Sequence, residues 1–264
     1  MALEGREEMG LRKTLGGIRR ADRDWNMIED NDRIAVGVSG GKDSMLLLYA
    51  LHLYRRFSRR AYSLEAITLE MGFEPFDVTP IRAFCREIGV SYRSVPTQIA
   101  QVVFEHRKEK NPCALCAKMR RGVLHDAAKA AGCNKLALGH TRDDALETLL
   151  LSLLYEGRFN VFSPVTYLDR KDITVIRPMV YLSEEHVRNA VRQQSLPIVV
   201  NPCPANGHTK RQEMKELLAL LGGICPDSKD KLQNALMRHE SYNLWDRERI
   251  LETNRRLMEA RRGL

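Results

Sequence analysis

The sequence predicts an α/β protein: a parallel sheet with helices on both faces, plus N- and C-terminal helices. Three observations predict it. Short apolar runs alternate with longer amphipathic stretches, the order that builds a parallel sheet covered on both sides. A glycine turn, Ser39-Gly40-Gly41-Lys42-Asp43-Ser44, stands between the first run and the first such stretch. The 264 residues, 44% hydrophobic and 29% charged, are enough to bury a full core.

Residues 10–29 read as a basic helix with Leu11, Leu15, Ile18, Trp25 and Ile28 on its apolar side. Asn31-Asp32 is a turn. Ile34 to Val38 is the first strand, and its helix runs from about Asp43 to Phe57. Tyr62 to Leu69 is the second strand. A helix covers Asp77 to Ile88, starting near Pro80 and stopped by Gly89. Val90 to Val95 is the third strand. After a loop at Lys110 to Pro112, a helix extends from about Ala114 to Ala131. Lys135 to Leu138 is the fourth strand, ending at Gly139-His140, and Asp143 to Tyr155 is the next helix. Val165 to Leu168 and Ile173 to Ile176 make a short hairpin or a fifth strand. Ser183 caps a helix to Gln194, with Glu184 and Glu185 in its first turn. A loop, Leu196 to His208, precedes a helix from Lys210 to Leu221; beyond Pro226 the tail is charged and helical. The expected organisation is a basic N-terminal helix over 1–30, a nucleotide-binding domain over 31–222 and a tail over 223–264.

Composition narrows the function classes. The net charge is +8 and the pI ≈ 9.3, with basic clusters such as Arg19-Arg20-Arg23 and Lys118 with Arg120-Arg121. That balance favours a polyanion such as RNA, although many such residues are solvated helix faces. The longest apolar run, Leu149 to Leu154, is too short to span a bilayer, so no membrane role is expected. The segment Met1 to Gly10 is acidic and polar, without the pattern of a secretory signal. Six cysteines in a chain of this length do not make a disulfide scaffold and suggest a reducing cytoplasm.

The glycine turn has the makings of a phosphate cradle. Its glycines allow positive φ and close approach of an anion, and the helix start points N–H groups and partial positive charge at it. Ser39 and Ser44 offer hydroxyl donors, Lys42 a cation and Asp43 a magnesium ligand. A Walker A loop is excluded, because only three residues separate Gly37 from Gly41-Lys42 and Asp43 follows the lysine. Ligands of open α/β sheets bind at the carboxyl ends of strands, so the loops after Val38, Leu69 and Leu138 should share one crevice. Thr68 and Gly139 join the nucleotide-binding candidates there.

Two further motifs carry chemistry. Pro112-Cys113-Ala114-Leu115-Cys116 opens a helix, and its C-x-x-C spacing brings two thiols within reach of one metal centre. Zinc would draw its other ligands from Cys203 and His208; an iron–sulfur cluster would use Cys113, Cys116 and Cys203; a redox pair is the third reading. Cys85, Cys133 and Cys225 carry no such pattern, and the first two read as core thiols. The second motif, Gly139-His140-Thr141-Arg142-Asp143-Asp144, follows a strand and opens a helix. Its carboxylates either offset the helix dipole or sit beside the phosphates on magnesium or a cation.

In this order, with Ile176-Arg177-Pro178 and Asn201-Pro202-Cys203 behind them, these motifs resemble the tRNA 2-thiocytidine synthetase (TtcA-like) family of PP-loop ATP pyrophosphatases. The resemblance covers roughly residues 10–220, and the cysteine helix with its trailing Arg120-Arg121-Gly122 is its most specific part. It implies an adenine-nucleotide α-hydrolase-like fold, ATP, Mg2+ and a 4Fe–4S cluster held by Cys113, Cys116 and Cys203. It implies sulfur transfer to a tRNA cytidine, with Asp144 or Asp143, Lys42 and Arg120 as catalytic candidates. It also implies a homodimer and a cysteine desulfurase or other sulfur donor. Thiolation of a uridine, and a zinc-stabilised nucleotide-binding protein without RNA activity, are the alternatives.

Overall fold

The computed structural model describes residues 2–107, 112–200, 202–204, 210–238 and 247–262. One compact unit runs to Leu220 and a second begins at Leu221. Within the first, helix α1 spans Ala2–Trp25, and strand β1, Asp32–Gly37, leads to α2, Lys42–Phe57. Next come β2 (Tyr62–Glu70), α3 (Thr79–Glu87), β3 (Ser91–Pro96) and a wide helical turn at Gln101–His106. Then follow α4 (Pro112–Ala130), β4 (Lys135–Ala137) and α5 (Arg142–Leu151), continued by a second wide turn at Ser152–Glu156. A hairpin of β5 (Val165–Leu168) and β6 (Ile173–Ile176) precedes α6 (Glu184–Gln193) and α7 (Lys210–Ile224). The second unit holds the end of α7, α8 (Ser228–Met237) and α9 (Arg247–Arg262).

The strands form one six-stranded sheet among the described residues, in the order β3-β2-β1-β4-β6-β5. All neighbours are parallel except β5, which pairs antiparallel with β6 at the edge. The parallel sheet is as expected, and the segment read as a short hairpin supplies its antiparallel margin, because four residues join β5 to β6 and leave no room for a crossover.

Strand alternation divides the core in two. Ile34, Val36, Ala66, Ala137 and Ile176 face one layer with α1, α2, α3 and α6. Ala35, Ile67, Leu136, Ile173 and Val175 face the other with α4. In α2, Met45, Leu46, Leu47, Leu48 and Leu51 are wholly buried, each contributing about 1.5–3 kcal/mol. Ile18 and Ala21 of α1 lie in the same core, so the basic N-terminal helix expected over 1–30 packs into the first compact unit.

Two helical segments depart from expectation. The helix expected to reach Tyr155 keeps α geometry only to Leu151 and then widens. The turn at Gln101–His106 carries no strong periodicity in sequence; Val103, fully buried, and Phe104, packed edge-on against Phe73, anchor it.

The chain order creates the crevice. It lays β2 and β3 on one side of β1, then returns to place β4 on the other. The carboxyl ends of β1 and β4 thus diverge at a topological switch point, where ligands of such sheets bind.

Candidate active site

A cleft of ≈ 740 Å³ opens at that switch point. Ser39, Asp43 and Ser44 of the phosphate loop line it, as do Ile67 and Leu69 of β2 and Leu138, Gly139 and His140 after β4. The three loops expected to share a crevice do share it. Arg120 and Arg121 of α4, Arg177 after β6 and Pro202, beside Cys203, complete the wall. A smaller pocket of ≈ 250 Å³ adjoins it, lined by Lys42, Asp143, Glu147, Glu184 and Lys215 among others; Asp43, Asp144 and Arg211 border both.

The phosphate loop is held from within. The Ser44 hydroxyl donates to the Gly41 carbonyl at 2.9 Å and accepts from the Ser39 N–H at 3.1 Å. The Ser39 hydroxyl lies 3.2 Å from that of Ser44 and accepts from the Gly41 N–H at 3.4 Å. Both serines line the cleft as expected, yet their hydroxyls shape the loop, which leaves anion binding to backbone N–H groups at the start of α2, where no side chain caps Gly41. Gly40 adopts φ +82, and a Cβ there would stand 2.9 Å from that of Val199. The Val199 N–H donates to the Gly40 carbonyl at 3.0 Å, so the 196–200 strap braces the loop from outside. Gly40 thus has a conformational role in the loop.

Three further nucleotide-binding candidates sit differently. Thr68 is wholly buried and absent from the cleft wall, because strand alternation turns it away from Ile67 and Leu69. A Cβ on Gly139 would come within 3.0 Å of the Asp43 backbone. That glycine therefore admits the first turn of α2, while it also lines the cleft. Lys42 lies outside the main cleft: its ammonium meets Asp43 at 2.9 Å and Glu184 at 3.2 Å. Burial disfavours that charge, but the two carboxylates outweigh it and hold the amine above its ordinary range. Burial also raises the Asp43 carboxyl, against the pull of Lys42. One Asp43 oxygen, Oδ1, is buried without a hydrogen-bond partner, an atom suited to a magnesium ion.

The two neighbouring aspartates separate in role. Asp143 is buried, and its Oδ2 accepts from the Glu184 N–H at 2.8 Å, tying α5 to the start of α6. It lines the smaller pocket and not the main cleft. Asp144 does reach it. Its Oδ2 accepts from the Thr141 N–H and hydroxyl, both at 2.8 Å, in a capping box. Its Oδ1 meets Arg211 at 3.1 Å. The same guanidinium reaches Glu147 and Thr148, each at 3.3 Å, and so clasps one face of α5. Burial pushes the Glu147 carboxyl up to about 7, with Asp144 adding and Arg211 opposing. Sequence reading missed Arg211, Glu147 and Glu184, since nothing local to them signals a contact made across the fold.

His140 and Arg177 form the far wall. The His140 ring packs on Phe162 at 4.8 Å, and the Arg177 guanidinium sits 5.0 Å from the same ring. Burial holds His140 neutral, down to about 4, against the Asp144 charge. Burial and then Arg121 draw Arg177 down to about 10.

The thiols gather from two segments. Cys113 is exposed at the start of α4, while Cys116 and Cys203 are half-buried. Burial raises the Cys116 thiol; Arg120 opposes this, and Cys203 and Cys113 add to it, so all three act on one neighbourhood. Among the described residues no group of three His, Cys, Asp or Glu side chains is closed around a single point. His208, offered as a fourth ligand, lies outside the described residues. Cys85 and Cys133 are buried in the two cores, as expected of packing thiols.

The glycine loop at the switch point, the asymmetric capping carboxylate and the uncapped helix start define a PP-loop nucleotide-binding protein. Residues 18–220 match the model of the PP-loop domain. A tRNA-cytidine(32) 2-sulfurtransferase of Geobacter metallireducens is 40% identical over 92% of this chain and 95% of its own length. One from Syntrophotalea carbinolica is also 40% identical, over 91% and 94%. The U34-tRNA thiolase NcsA from Methanococcus maripaludis, solved with its 4Fe–4S cluster, superposes with a TM-score of 0.72 at 25% identity, covering 90% of this chain and 81% of that one. The chain belongs to the PP-loop family and, within it, to the tRNA-cytidine(32) 2-sulfurtransferases.

Proposed function

We propose that this protein is an ATP-dependent tRNA sulfurtransferase that converts an anticodon-loop cytidine to 2-thiocytidine. One observation carries the reading: the phosphate loop, the second carboxylate motif, Arg120 and the Cys203 segment border one cleft. The C2 oxygen of cytidine is a poor leaving group. Its attack on the α-phosphorus of ATP releases pyrophosphate and leaves an adenylated oxygen; sulfur then bonds to C2 and AMP departs with that oxygen.

The chain's residues serve these steps in turn. The loop and the start of α2 hold the phosphates by backbone N–H groups that need no reorganisation as charge develops. Asp43 Oδ1 is the atom offered to Mg2+, which would neutralise phosphate charge. Arg120 and Arg121 bring positive charge to the departing phosphates. Asp144, fixed by Thr141, orients Arg211 at the cleft border. Neutral His140 and Phe162 give the cleft a flat apolar wall for a base. Cys113, Cys116 and Cys203 are the ligands for a 4Fe–4S cluster, which would supply the sulfur atom when bound; a donor set of three thiols from two segments fits it. The reading also carries a cysteine desulfurase or other sulfur donor, a homodimer and a cytoplasmic location, and no described helix is long and apolar enough to cross a membrane.

Anaerobic purification tests the metal, with iron, sulfide and zinc measured together. The expected result is a coloured protein with iron and sulfide; a colourless zinc protein removes the cluster. Nucleoside mass spectrometry of tRNA from a deletion strain tests the base, with loss of 2-thiocytidine expected. Loss of a thiouridine in its place would move the reading to the alternative base.

A further inference from the structure

We propose that the segment from Leu154 to Phe162 is a stacking platform for the bases of a single-stranded RNA loop, leading them from solvent into the cleft. The inference rests on the tRNA reading above and adds the surface on which the RNA docks.

Local structure makes the platform. The wide turn at Ser152–Glu156 ends at Gly157 in the left-handed region, φ 63 and ψ 32, and the Arg158 N–H returns to the Ser152 carbonyl at 3.1 Å. That stop turns the chain outward and leaves three large side chains at the surface: Leu154 at 60%, Tyr155 at 53% and Phe159 at 68% exposure. Such turns inside helices recur at functional sites. The Tyr155 hydroxyl donates to Glu213 at 2.7 Å, which holds the ring in place at the surface.

The chain then runs inward. Asn160, Val161 and Phe162 line the cleft that also contains Ser39, Asp43 and Arg120. One continuous stretch therefore connects exposed rings to the ring packed against His140 and Arg177. A base splayed from a loop needs such a path, because its reacting atom must leave the stack to meet a buried phosphorus.

Cations separate the rings. Lys210 Nζ lies 5.3 Å from the Tyr155 centroid, Arg158 precedes Phe159, and Arg177 covers Phe162. The core of a protein-binding patch is contiguous, apolar and poor in charge. Rings interleaved with Lys and Arg, in a chain of net charge +8, suit a polyanion whose bases stack.

Fluorescence anisotropy with a labelled anticodon stem-loop RNA, using the full-length protein at fixed salt, tests the platform without requiring turnover. Phe159→Ala is expected to weaken RNA binding about tenfold, with ATP affinity unchanged. Phe159→Trp should bind RNA as well as the parent, and Phe159→Leu as poorly as the alanine variant, since leucine has bulk but no stacking face. RNA binding by Phe159→Leu equal to that of the parent overturns the proposal. So does a variant that changes the sedimentation of the protein and leaves RNA binding intact, which would make the segment a protein interface. If the parent protein binds ATP but no RNA, the tRNA reading fails first and the platform with it.

Discussion

The phosphate loop and the cysteine region border one cleft but are built on opposite principles. In the loop, both serine hydroxyls bond within it, Gly40 is wedged against Val199, and Gly139 makes room for its helix. The cysteines stand at an exposed helix start and on a separate segment, with Cys113 exposed and Cys116 and Cys203 half-buried. Each half gets its geometry from a different source. The nucleotide half is preorganised by protein contacts alone. The sulfur half is a set of donors whose mutual placement a ligand would tighten.

The largest effect should separate the halves outright. Cys116→Ser or Cys203→Ser is expected to abolish 2-thiocytidine formation, read by nucleoside mass spectrometry. Calorimetry should find ATP affinity within about twofold of the parent. A matching loss of ATP binding would show that the halves are one cooperative structure, and the contrast drawn above would be wrong.

The reverse experiment acts on the loop. Gly40→Ala forces a side chain into φ +82 against Val199, at a cost of about 1–3 kcal/mol. ATP affinity should fall while iron content stays level. Unchanged affinity would mean that the strap is not what fixes the loop.

A pH experiment addresses the border between the two pockets. Folding raises the Glu147 carboxyl from its ordinary 4.5 to about 7. The folded state therefore holds a proton that the unfolded state has lost, so stability falls as pH climbs through that window and is level above it. Glu147→Gln should raise stability by about 1–3 kcal/mol above pH 7 and by nothing below pH 4.5. Denaturant titrations at pH 4.5 and 8 measure this, and an equal gain at both would assign the effect to packing.

The smallest effect concerns a thiol outside the centre. Cys85 is fully buried in the first core, and burial pushes its thiol up to about 11. Cys85→Ala should cost about 1 kcal/mol and leave iron, sulfide and thiolation unchanged. Lost iron in that variant would extend the metal centre into the core.

Much of this was legible in the sequence. The strand–loop–helix at Ser39 to Ser44 is local, and so is the helix start with its paired carboxylates at Asp143 and Asp144; local chemistry fixes both. The parallel order of β1, β2, β3 and β4 follows from alternation of apolar runs. What was not legible depends on contacts between distant segments. Whether Asp143 or Asp144 faces the cleft is set by α6, whose first N–H claims Asp143. The inward turn of Thr68 follows from the register of β2 against its neighbours. Arg211 is reached only across α5 and α7, and no spacing rule pairs it with Glu147.

A coupled turnover assay decides whether one cleft performs both steps. The anaerobically prepared protein would be given ATP, a sulfide source and unmodified tRNA, and AMP and 2-thiocytidine would be counted together. Equal amounts of both, with neither formed in the absence of tRNA, are the predicted result. AMP formed without 2-thiocytidine, or 2-thiocytidine formed without AMP, would contradict an account in which one cleft activates the oxygen and replaces it.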